Sequence, residues 1–270
     1  MGFMRALRNR WQQANTLVCV GLDPEPSKFP ARFANDTDAV FAFCRDIADA
    51  TADYACAFKP QIAHFAALGA EHALERLIAH LKSAHPDVPV ILDSKRGDIG
   101  STAQHYATEA FDRYGADAVT VNPYLGRDAL QPFLDRADRG VIILCRTSNP
   151  GAGELQDMLV AGRPLYQHVA EKAALEWNTN GNVSLVVGAT WPEQLAEVRA
   201  LVKDVPLLVP GVGAQGGDAA AVVSNAKTPD GTGLMISSSR AVLYASNGDD
   251  YMAAAGDAAR ALRDLINASR

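Results

Sequence analysis

The 270-residue chain has no uninterrupted apolar run approaching the ~18 residues that cross a bilayer, so it offers no membrane-spanning helix. Basic charge is also short: 25 Lys+Arg face 31 Asp+Glu, and the resulting net charge of −6 opposes a nucleic-acid partner. Small molecules are the expected ligands. The four cysteines, Cys19, Cys44, Cys56 and Cys145, form no CxxC pair. Three of them fall in apolar runs, where free thiols are commonly buried, which points to a reducing, cytoplasmic compartment. The N-terminal stretch is basic without an apolar core, unlike a secretory signal. GxSxG and Walker A sequences are missing, removing serine-hydrolase and P-loop readings. The histidines (His64, His72, His80, His85, His105 and His168) show no metal-ligand spacing, so no metal site is expected.

What is present is a repeat of two patterns. Short apolar, β-branched runs begin near Leu17, Ala55, Val88, Ala116, Gly140, Val183, Pro206 and Gly233. Between them lie stretches of 3.6-residue periodicity such as AVFAFCRDIADAT and EHALERLIAHLKSA, which read as amphipathic helices. Runs without clean alternation suit a parallel sheet covered on both faces. Eight βα units with no composition shift predict one (β/α)8 TIM barrel domain over residues 1–270; a doubly wound open sheet is the structural competitor. Phe3/Met4, Leu7 and Trp11 recur at helical spacing and predict an N-terminal helix packed on the barrel. The longest interval follows the fifth run, and its Asn149-Pro-Gly segment predicts a lid loop over the mouth.

In a barrel, reacting groups belong at the C-terminal ends of strands. Those ends carry charge here: Asp23 after the first run, Lys59 after the second, and Asp93-Ser-Lys95-Arg-Gly-Asp98 after the third. Alternation puts Asp93 and Lys95 on one face. Charges that terminate an apolar run are partly desolvated and call for pairing or function, whereas Arg96 reads as a surface ion pair. A second concentration is Pro210-Gly-Val-Gly-Ala-Gln215-Gly-Gly, in which Gly211, Gly213 and Gly216 satisfy GxGxxG. The following run ends in Ser-Ser-Ser-Arg240 rather than in the acidic residue a dinucleotide site needs, so glycine amides and Arg240 read as a phosphate cradle.

The run Asp93-Ser-Lys95-Arg-Gly-Asp98-Ile99-Gly-Ser-Thr102 resembles the D-x-K-x-x-D signature of the orotidine 5′-monophosphate (OMP) decarboxylase family, in its DSKRGDIGSTA form. Gly21-Leu-Asp23, Phe58-Lys59-Pro60, Arg146-Thr-Ser148-Asn-Pro-Gly, the Gln215 loop and Ser237-Ser-Ser-Arg240 extend the resemblance over nearly the whole chain. It implies that Asp23 and Lys59 hold the ribose hydroxyls and that Asp93, Lys95 and Asp98 form a charged array with Lys95 as proton donor. It further implies that Asp98, Ile99 and Thr102 reach the neighbouring subunit's site in a homodimer, that Ser148 or its neighbour Thr147 contacts the pyrimidine, and that Gln215 and Arg240 bind the phosphate. The expected reaction turns OMP into UMP and CO2 without a cofactor.

Two rivals remain at this level. A Mg2+-dependent sugar-phosphate decarboxylase would share D-x-K-x-x-D but place an acidic metal ligand where this chain has Lys59, whose ammonium repels Mg2+. A noncatalytic phosphate sensor would need the binding loops and not the charged array.

Overall fold

A computed structural model describes residues 2–212 and 217–270. All eight apolar runs form parallel strands: β1 (Val18–Leu22), β2 (Ala57–Pro60), β3 (Ile91–Arg96), β4 (Ala118–Val121), β5 (Gly140–Arg146), β6 (Val183–Val187), β7 (Leu207–Val209) and β8 (Leu234–Ser238). Their order is β2-β1-β8-β7-β6-β5-β4-β3. Single bridges, Phe58 to Val90 and Gln61 to Asp93, join the two ends of that order and close the barrel. The open-sheet alternative is thereby removed. The strands are almost uniformly buried, as expected for a parallel sheet jacketed by helices.

The principal helices of that jacket are α1 (Phe3–Gln13), α2 (Ala39–Thr51), α3 (Glu71–Ala84), α4 (Gly100–Thr108), α5 (Arg127–Leu134), α6 (Leu165–Leu175), α7 (Pro192–Val202), α8 (Ala219–Ala226) and α9 (Tyr251–Asn267). Helix α4 runs on into a wider turn, Glu109–Arg113. Helix α1 buries Phe3, Leu7 and Trp11 of the positions its spacing singles out, while Met4 is only half-buried. Full burial of such side chains contributes about 1.5 to 3 kcal/mol each. The Phe3 ring lies so close to Gly140 that a Cβ there would come within 2.3 Å of it, so the start of β5 must be glycine. Among the described residues, no helix is long and apolar enough to cross a membrane.

The segment after β5 is more ordered than a bare loop. It contains a turn at Pro150–Ala152, a short helix Gly153–Gln156 and a small antiparallel hairpin pairing Leu159–Val160 with Arg163–Pro164. The buried Arg146 at the end of β5 anchors it, donating from Nη2 to Asp157 Oδ2 at 3.0 Å and from Nη1 to the Thr147 carbonyl at 3.0 Å. All four cysteines are free and buried. Burial pushes the Cys19 and Cys145 thiols up to about 12, so they are inert packing groups.

Candidate active site

The chemistry gathers at the C-terminal rim. Asp93 ends the apolar part of β3 and is only 6% exposed. Its Oδ2 accepts from Lys59 Nζ at 2.8 Å, its Oδ1 from Lys95 Nζ at 2.6 Å and from the Thr120 hydroxyl at 2.9 Å. Burial alone would raise the Asp93 pKa, but the two ammonium groups overcome that and hold the carboxyl well below the usual carboxylate range. Burial likewise disfavours the Lys59 charge, and Asp93 and Asp23 outweigh it, so Lys59 stays protonated far beyond neutral pH.

Lys95 reaches Asp93 by a different route from simple alternation. The β3 register shifts between Leu92 and Arg96, and Lys95 adopts a left-handed backbone, φ +47°. Thr120, on β4, fixes this bulge: its Oγ1 accepts the backbone N–H groups of Ser94 and Lys95, each at 2.9 Å, while donating to Asp93. One donor and two acceptors exhaust a hydroxyl. Strained backbone of this kind persists only where its surroundings dictate it. The sequence marks Thr120 only as a lone hydroxyl in the apolar run AVTV.

Asp23, at the end of β1, accepts from Ser239 Oγ through Oδ2 at 2.6 Å. Its Oδ1 is buried and has no partner among the described residues, an acceptor suited to a ligand hydroxyl. Asp23, Lys59, Asp93, Gly211, Ser239 and Arg240 line a cavity of about 200 Å³. Of the sequence-derived candidates, the structure therefore brings Asp23, Lys59, Asp93, Lys95 and Arg240 together.

The others stand apart. Ser148 follows β5, packed so tightly on Gly188 that a Cβ at 188 would meet its backbone at 2.8 Å. The Thr147 hydroxyl is taken up by Asn149 Oδ1 at 2.6 Å and by Gln156, whereas Ser148's has no hydrogen-bond partner among the described residues. Asp98, Ile99 and Thr102 are not in the cavity lining; Asp98 Oδ1 accepts the Ile99 N–H at 2.8 Å, and Ile99 and Thr102 are exposed. Gln215, with Gly213 and Gly216, lies outside the described residues. Arg96 is held by Glu109 at 2.9 Å and stacks on Tyr106, the surface ion pair its pattern suggested.

A closed βα barrel with buried, paired carboxylate and ammonium groups beside a small polar cavity at its C-terminal rim defines an enzyme of the barrel class. The family model for "Orotidine 5'-phosphate decarboxylase / HUMPS family" matches residues 16–255. The orotidine 5′-phosphate decarboxylases of an Azoarcus species and of Ralstonia pickettii are 60% and 59% identical to the chain, each over 270 residues and 100% of both partners. Among solved structures, the Leishmania donovani OMP decarboxylase superposes with a TM-score of 0.84 at 40% identity, covering 98% of this chain and 99% of that one. The UMP synthase of the same organism gives 0.89 at 42% identity, covering 100% of this chain and 56% of the other. The chain belongs to the orotidine 5′-phosphate decarboxylase family.

Proposed function

We propose that the chain, acting as one barrel domain over residues 1–270, decarboxylates OMP to UMP and CO2, the last step of UMP biosynthesis, with Lys95 as proton donor and no cofactor. The observation that carries this reading is the Asp93 carboxylate held between two ammonium groups, at 2.8 and 2.6 Å, beside a cavity that Arg240 also lines. The bond from pyrimidine C6 to the carboxylate breaks, CO2 departs, and the electron pair stays on C6. Lys95 stabilises that carbanion electrostatically and then gives it a proton from Nζ, to be replenished from solvent. Asp23 and Lys59 take the ribose hydroxyls, Ser148 the pyrimidine, and Arg240 with Gln215 the phosphate. Slow uncatalysed reactions can require around 20 kcal/mol of barrier reduction, and one positioned donor supplies only about 3 to 4. Phosphate contacts and closure of the segment after Ser148 supply binding energy for the remainder. The buried free thiols support a reducing, cytoplasmic setting.

The test is incubation of metal-stripped protein with OMP and EDTA while following loss of the orotate absorbance. UMP and CO2 are expected. Activity that vanishes on chelation and returns with Mg2+ would instead favour the sugar-phosphate reading, which the buried Lys59 beside Asp93 already disfavours.

The reading includes a homodimer with shared sites. Asp98, Ile99 and Thr102 are not in their own chain's cavity lining, and the loops after β3 and β4 leave Ile99, Tyr124 and Leu125 59%, 80% and 45% exposed. In a twofold dimer each such contact occurs twice. Inactive Lys95→Ala and Asp98→Ala proteins, mixed equally and allowed to exchange subunits, should recover about one quarter of wild-type activity per site, because half the dimers carry one intact site. An inactive mixture with exchange confirmed by mass spectrometry removes the shared site and leaves the decarboxylase reading standing.

A further inference from the structure

Six histidines showed no metal spacing in the sequence, yet the fold brings two of them onto one carboxylate. His80 lies in the last two turns of α3, His85 caps that helix, and Asp49 sits near the end of α2. The Nε2 atoms of His80 and His85 each lie 2.7 Å from the same atom, Asp49 Oδ1. We propose that Asp49, His80 and His85 form a divalent-metal site suited to Zn2+, on the outside of the barrel and at the end opposite the cavity.

Four observations support it. The ligand atoms of all three side chains lie within 4.8 Å of one another. Two imidazole nitrogens and a carboxylate oxygen are a borderline-soft donor set, and three protein ligands leave zinc a fourth position for water. The backbone is fixed: the His85 N–H donates to the Leu81 carbonyl at 2.9 Å, and the His85 carbonyl accepts from Val88 at 3.0 Å. The rings are seated against neighbours, His80 edge-on to Phe41 and His85 tilted over Phe58, with side chains 26% and 20% exposed.

Charge favours a cation at this place. Helices α2 and α3 both end here, and helix C-termini carry partial negative charge. Arg45, whose charge also reaches Asp49, is engaged by Asp46 at 2.6 Å. As hydrogen bonds, both contacts require a proton on each Nε2, both directed at one oxygen. With neutral rings and free Nε2 lone pairs, the same convergence presents three ligands to one point. Spreading the contacts to the ~3.3 Å that separates ligands around a tetrahedral zinc is a small side-chain adjustment. The bound ion would tie α2 to α3 and to the lead-in of β3, without touching the reaction.

The experiment uses tag-free full-length protein, dialysed against EDTA and then freed of it. Calorimetric titration with Zn2+ should show one saturable equivalent, Co2+ should give the intense visible bands of a tetrahedral site, and Zn2+ should raise the melting midpoint by several degrees. His80→Ala and His85→Ala should each weaken Zn2+ binding at least tenfold while leaving OMP turnover unchanged. Absence of a saturable equivalent in the wild-type protein, or Zn2+ affinity that survives both substitutions, overturns the proposal. The Co2+ spectrum is read on the wild-type protein, so a variant that fails to fold does not shelter it.

Discussion

The two rims of the barrel both hold cations against the strand ends, and the best-ordered of them are satisfied in opposite ways. At the N-terminal rim two partly buried arginines, Arg199 and Arg10, bind neutral backbone carbonyls. Arg199 on α7 donates to the carbonyls of Ala226, Val205 and Gly233 at 2.7, 2.8 and 2.9 Å, and also to that of Lys203. Arg10 on α1 binds the Ala52 and Ala55 carbonyls at 2.7 and 2.8 Å. At the C-terminal rim the partners are charges and the account is left open. Lys59 and Lys95 share one carboxylate, Asp23 Oδ1 and Ser94 Oγ are buried without partners among the described residues, and the Lys95 side chain is 45% exposed. Neutral, completed contacts fix a structure; charged, incomplete ones hold capacity for a ligand. The same guanidinium or ammonium chemistry thus serves structure at one end and, in the proposed reaction, catalysis at the other.

Three substitutions sharpen that contrast. Lys95→Ala should lower kcat by about 10³-fold or more, since it removes the group that meets developing charge, while binding of UMP and the melting midpoint stay near wild type. Turnover within tenfold of wild type would remove Lys95 as proton donor. Arg199→Leu should do the reverse: it strips several carbonyls at the rim of their donor and should cost about 2 to 3 kcal/mol in urea unfolding with kcat unchanged. A large loss of kcat at equal folded fraction would show that the rims are not separable. Thr120→Val is the smallest and lies between the two. It keeps the shape of β4 but releases the Asp93 carboxylate and the Ser94 and Lys95 amides, and about a tenfold fall in kcat with KM little changed is expected. Thr120→Ser, which restores the hydroxyl, should recover most of it; failure of that rescue would assign Thr120 to packing alone.

The strands and the α1 face are legible because they rest on local periodicity, and the need for a partner at Asp93 because charge ending an apolar run is costly, although the alternation that would put Lys95 beside it is replaced by a bulge. What stayed hidden depends on register. The bulge that turns Lys95 back toward Asp93 is set by Thr120 on another strand, and no pattern within DSKRGD reveals it. Asp49, His80 and His85 are joined by the packing of two helices, so their spacing in sequence carries no signature. The hairpin at residues 159–164 leaves no periodic signal, because each of its strands is two residues long. The sequence gives Arg146 no marked role; its burial between Asp157 and the Trp191 ring, 5.5 Å away, is visible only in three dimensions.

Closure of the barrel depends on its thinnest seam. Between β2 and β3 the strand pairing consists of the two isolated bridges, and the Phe58 N–H reaches the Pro89 carbonyl at 3.0 Å. The Lys59–Asp93 ion pair spans this same seam, near the Gln61–Asp93 bridge. It works as a rivet as well as an electrostatic pair. A ligand that draws Lys59 away from Asp93 therefore also loosens this seam, so occupancy of the mouth and tension in the wall are mechanically coupled.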